Sequence, residues 1–96
     1  MNFDQADIKD LELSIADQIY IQIAKWHLYL GDAGLAKSLA IECMAHLGEG
    51  PDLAVEKALR SIRVPIAGGK THLPLQELIP HGQVLELIDL ISPYYR

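Results

Sequence analysis

Between Lys57 and His72 the chain places Lys57, Arg60, Arg63 and Lys70 with no carboxylate among them. A positive island of this kind can hold a phosphate, a small carboxylate or an acidic protein surface. It stands out because residues 1–56 carry ten acids against three lysines, and the whole chain has a net charge of −5. Gly68-Gly69-Lys70-Thr71 adds backbone N–H groups beside a lysine, the raw material of an anion cradle. The phosphate-loop signature, however, also needs a glycine five residues before the Gly-Lys pair. Val64 stands there, so the nucleotide-loop reading fails. A hairpin turn with a solvated Lys70 accounts for the same residues. Lys57, Arg60 and Arg63 recur every three residues near a helix C-terminus, where the helix dipole favours cations with or without a ligand.

Two other groupings carry chemistry by type. Cys43-x-x-His46 sets two potential metal ligands on one helix face, but the other histidines (His27, His72, His81) follow no pairing motif that would complete a site. A Cys–His nucleophile would further need an orienting group and an oxyanion hole. A buried thiol near a helix-terminal histidine is the simpler reading, and no metal, cofactor or catalytic residue is expected. Trp26-His27-x-Tyr29 packs three ring side chains into four residues. Trp26 falls on an apolar stripe and reads as core, so its truncation is expected to cost about 3–5 kcal/mol. His27 and Tyr29 point away from that stripe and can reach a partner.

These residues need elements to hold them. Phe3-Asp4-x-x-Asp7-Ile8 resembles a helix start, with Asp4 as cap and Phe3 stapled against Ile8. Whether that turn joins the next helix or breaks near Ser14 stays open. Ile15, Ile19, Ile23, Trp26 and Leu30 recur at helical spacing, which predicts a helix over 15–30 ended by Gly31. Ile21 and Leu28 fall on its other side, an apolar stripe that predicts a homodimer or a partner helix. Asp32 then caps a second helix from Ala33 to Leu47, and Pro51 opens a third that runs through Ile62. Arg63–Ile66 and Thr71–Leu73 read as the short arms of a hairpin about Gly68-Gly69, with Pro65 confining its arm to an edge. One or two helical turns follow Pro74, and a last helix from Gln83 to Ile91 presents Val84, Leu87, Ile88 and Ile91. The fold class is thus mainly α: a single domain over 1–96, a four- to five-helix bundle with one short β-hairpin or Gly-Gly turn near residues 63–73.

Composition sets the outer limits. Ninety-six residues make about one small domain. An apolar fraction of 50% leaves more hydrophobic surface than so small a body readily hides, which favours self-association or a partner. The acidic balance argues against nucleic acid. Cys43 is the only cysteine, in keeping with a reducing compartment. The N-terminus does not read as a signal peptide, and no run approaches the roughly 20 apolar residues of a membrane span. The expected location is the cytoplasm.

Tyr20-Ile21-x-Ile23-Ala24-Lys25-Trp26-His27-Leu28-Tyr29-Leu30, together with Val64-Pro65-Ile66-Ala67-Gly68-Gly69-Lys70 and Leu73-Pro74-Leu75, resembles a family of small cyanobacterial proteins catalogued as a domain of unknown function. The resemblance covers most of residues 14–91. It implies a photosynthetic bacterial cytoplasm, and it supplies no activity and no site residues. The apolar surplus, the helix over 15–30 with two apolar sides and the lack of a catalytic grouping set the expectation: a non-enzymatic protein–protein interaction module, a small adaptor or assembly factor. Its candidate interface is Ile21, His27, Leu28 and Tyr29. The alternative is a regulatory module that binds a phosphorylated or carboxylated small molecule at Lys57, Arg60, Arg63, Lys70 and His72.

Overall fold

The computed structural model describes residues 5–23 and 25–95. The expected cap at Asp4 and staple at Phe3 lie outside them. Helix α1 (Gln5–Gln18) leads into strands β1 (Tyr20–Ile23) and β2 (Trp26–Tyr29). A short helix α2 (Leu30–Ala33) and helix α3 (Ala36–His46) follow, then α4 (Pro51–Ser61). Strands β3 (Arg63–Ile66) and β4 (Thr71–Pro74) come next, and α5 (His81–Ile91) closes the bundle. The protein is mainly α, with five α-helices and two antiparallel hairpins among the described residues.

The expected helix over 15–30 is the main correction. The chain leaves the helix at Gln18, and Tyr20–Ile23 and Trp26–Tyr29 pair as a hairpin. Ile15 and Ile19 are spaced as on a helix, but Ile19, Ile21 and Ile23 are also spaced as on a strand. β-Branched and aromatic residues fit that pleated surface better. Positions 24 and 25 join the strands without the Asn-Gly or Asp-Gly pair that marks many tight hairpins, so the turn left no local signal. The helix expected over Ala33–Leu47 is likewise split into α2 and α3. Gly31 does not end a helix. It lies within α2, where a Cβ would come within 2.9 Å of both the Cβ and the carbonyl oxygen of Ala16. Glycine here lets α2 pack directly on α1.

The second hairpin forms as read, with Gly68 and Gly69 at φ 71° and 86°, values that glycine adopts most readily. α4 starts at Pro51, and Leu75–Glu77 make one helical turn after Pro74. Leu11, Ile15, Leu39, Leu59, Leu87 and Ile91 are among the buried side chains of a single core, and no polar or charged side chain is buried with them among the described residues.

Connections fix the directions of the helices. The Leu30 N–H donates to the Ile19 carbonyl (2.9 Å), so α2 and α3 begin where α1 ends. A turn of only four residues separates α3 from α4, which makes them antiparallel. The Tyr20 N–H donates to Gln83 Oε1 (2.9 Å), placing the start of α5 at the same end. At the other end, Tyr94 lies close enough to Asp10 and Asp7 for their charges to help burial raise its phenol pKa. Both hairpins therefore spring from one end of the bundle, where α1 and α4 finish.

Candidate functional site

Backbone hydrogen bonds tie the two hairpins to one base. The Gln22 N–H donates to the Leu78 carbonyl (2.8 Å), and the Leu75 N–H donates to the Ile62 carbonyl (2.8 Å). What this end displays follows from strand alternation. In the first hairpin Tyr20 opposes Tyr29, Ile21 opposes Leu28, Gln22 opposes His27 and Ile23 opposes Trp26. Side chains alternate between faces, so Ile21, Ile23, Trp26 and Leu28 share one face, and Tyr20, Gln22, His27 and Tyr29 the other.

The first face covers the core at its base only. Ile21 is fully buried and Leu28 half-buried, but Trp26, beside the turn, is 77% exposed. The second face is a ring cluster. Tyr20 stacks on His27 with centroids 4.5 Å apart and planes 21° from parallel, and it meets Tyr29 edge-on at 5.6 Å. His27 and Tyr29 are exposed. Lys25 stands exposed at the turn beside Trp26.

On the second hairpin, Arg63 opposes Pro74 and Pro65 opposes His72, so Arg63 and His72 share the outward face. Lys70 follows the glycines of the turn and is exposed. Arg63, Lys70 and His72 have no ion pair among the described residues. Nearby, an open cleft of about 350 Å³ is lined by Gln22, Glu77, Leu78, Ile79 and Pro80. Its charged group is a carboxylate, a poor lining for an anion.

Residues 8–94 match the family model described as "Protein of unknown function (DUF3181)". The chain belongs to this family. It is also similar to the "Thylakoid-associated protein slr0729" of Synechocystis sp. (strain ATCC 27184 / PCC 6803 / Kazusa), with 36% identity over 91 residues, 92% of this chain and 89% of that protein. No solved structure matches it.

In this DUF3181 chain the expected site residues separate into two groups. The Ile21/Leu28 stripe is not a free surface: Ile21 closes over the core from a strand and Leu28 is half-buried, which corrects the placing of Ile21 at an interface. His27 and Tyr29 do face outward. Trp26, read as core, is instead the most exposed large apolar side chain described. Had the alternation of 26–29 been taken as a strand next to a turn, the sequence would have placed it there.

The positive island is smaller than it looks in the sequence. Lys57 is hydrogen-bonded to Glu49, and Arg60 pairs with Glu56 at 2.5 Å, one helical turn back. The carboxyl of Glu49 is held below its ordinary range by Lys57 and then by His46, whose Nδ1 lies 3.2 Å away. Cys43 is buried, and burial, with a smaller push from Glu42, raises its thiol to about 12. That thiol is protonated at neutral pH and does not act as a nucleophile there. Among the described residues no three His, Cys, Asp or Glu converge as metal ligands, and no helix is long and apolar enough to cross a membrane.

Proposed function

We propose that this chain is a non-enzymatic interaction module, a small adaptor or assembly factor, and that its contact element is the first hairpin. The reading places it in the cyanobacterial cytoplasm, at the thylakoid surface. The observation that carries it is Trp26, an indole held on an ordered strand yet 77% exposed. Large aromatic side chains left in solvent beside a polar rim mark contact sites, because they gain most from being covered. Tyr29 and His27 on the opposite face widen the contact surface. The Synechocystis relative is named as thylakoid-associated, which supports the location. Burial keeps the Cys43 thiol out of any such contact.

Binding of a small anion at the second hairpin is the weaker reading. Arg63, Lys70 and His72 are free to take part, but their convex turn offers little enclosure.

The test is capture of partners from a cyanobacterial lysate by the tagged chain, by Trp26→Ser and by Leu53→Ser, a control at an exposed apolar site on α4. The reading expects proteins retained by wild type and Leu53→Ser to be lost with Trp26→Ser. The same set on all three baits would contradict it.

A further inference from the structure

We propose that the hairpin end of the bundle docks on an anionic bilayer surface. The Trp26 indole enters the headgroup region, and Lys25, Arg63 and Lys70 face the lipid charge. This rests on the reading of the Trp26 hairpin as the contact element, and it names the partner.

Two independent observations point the same way. The first is the side chain itself. Trp26 has an apolar body and one N–H donor, a combination that favours the boundary between water and acyl chains. It stands beside the turn of a short hairpin with Lys25 exposed next to it, so the indole can enter a surface while the ammonium stays at headgroup level.

The second is how charge is distributed along the molecule. The segments at the hairpin end, 17–37 and 60–81, carry Lys25, Lys37, Arg60, Arg63 and Lys70. Glu56 pairs with Arg60, and Asp17, Asp32 and Glu77 stand against the other four cations, so this end is net +1. The remaining described residues, 5–16, 38–59 and 82–95 without Glu56, are net −6. An acidic protein is repelled by an anionic membrane in most orientations. This one is attracted in a single orientation, with both hairpins toward the lipid and the acidic helices away. Among the described residues no carboxylate pairs with Arg63 or Lys70, so their charge is available to the surface. A cation at such a surface strengthens binding about 5-fold. One inserted ring and a few cations give weak, reversible binding that needs both contributions.

The experiment sediments the full chain with vesicles of phosphatidylcholine alone and with vesicles that also contain phosphatidylglycerol. The proposal expects binding to the phosphatidylglycerol vesicles, weakened by salt and much lower on phosphatidylcholine. Trp26→Ser should reduce that binding about 10-fold. Lys70→Ala should reduce it about 5-fold. Both sites are exposed, and thermal melts matching wild type confirm that the variants fold.

Absence of binding, or equal binding to both vesicle types, overturns the proposal. If vesicles fail while lysate capture still depends on Trp26, the hairpin remains the contact element and its partner is a protein. If binding needs Lys70 but not Trp26, the hairpin reading itself falls.

Discussion

Ile21 and Trp26 lie on the same face of the first hairpin, in cross-strand pairs separated by the Gln22–His27 pair, yet Ile21 is fully buried and Trp26 is 77% exposed. One strand face thus serves two purposes: its base completes the core, and its tip leaves it. The difference is measurable. Ile21→Ala should destabilise the fold by about 2–5 kcal/mol, the cost of a large-to-small change in a packed interior. Trp26→Ser should stay within about 0.5 kcal/mol of wild type. Chemical denaturation of the two variants checks the assignment, and a reversal of their order would return Trp26 to the core.

Gly31 tests the contact between α2 and α1. A methyl group at this position meets the Cβ and the carbonyl oxygen of Ala16 at 2.9 Å. Gly31→Ala should therefore destabilise by about 1–3 kcal/mol, although alanine is the better helix former. Ala16→Gly in the same chain should recover only part of the loss, because the carbonyl oxygen remains. Full recovery, or no loss to recover, would argue against this close approach.

Cys43 should be silent in the folded protein. Burial favours its neutral thiol, so the folded pKa, about 12, lies above the ordinary 9.0. The stability this contributes is intact below pH 9.0 and is lost as pH rises toward 12. At neutral pH a disulfide exchange reagent should react only as denaturant unfolds the chain. Rapid reaction of the native protein would place the thiol at the surface.

Glu49 links the α3–α4 turn to Lys57 and His46. Its folded pKa lies below the ordinary 4.5, so its stabilising effect is present above that pH and is lost as pH falls through the lower folded value. Wild type should be slightly more stable than Glu49→Gln at neutral pH, and the gap should close in acid and shrink with salt. A gap that persists unchanged at low pH would mean the contact is not ionic.

Much of the fold was legible because its signals were local. Pro51 opened α4, Gly68-Gly69 turned the second hairpin, and Leu87 and Ile91 set the buried face of α5. The first hairpin was not legible as a strand pair. Isoleucines at 15, 19, 21 and 23 satisfy helical and strand periods together, and only tertiary burial of Ile21 decides between them. The site went wrong for that same reason: a helix puts Trp26 on the core stripe, whereas a strand next to a turn puts it at the tip. The basic island was visible, and so was the i,i+4 spacing that pairs Glu56 with Arg60, but the neutralisation of Lys57 was not. Glu49 and Lys57 are eight residues apart and meet because the turn before α4 lays Glu49 alongside that helix.

The contact role of Trp26 can be read from its own light, because it is the only tryptophan in the chain. The measurement is its fluorescence emission and acrylamide quenching, free in buffer and after addition of isolated cyanobacterial thylakoid membranes. The account predicts a red, readily quenched emission for the free protein and a blue-shifted, shielded emission once the membranes are bound. A blue, protected emission in the free protein, or unchanged quenching on membranes that demonstrably retain the chain, would contradict it.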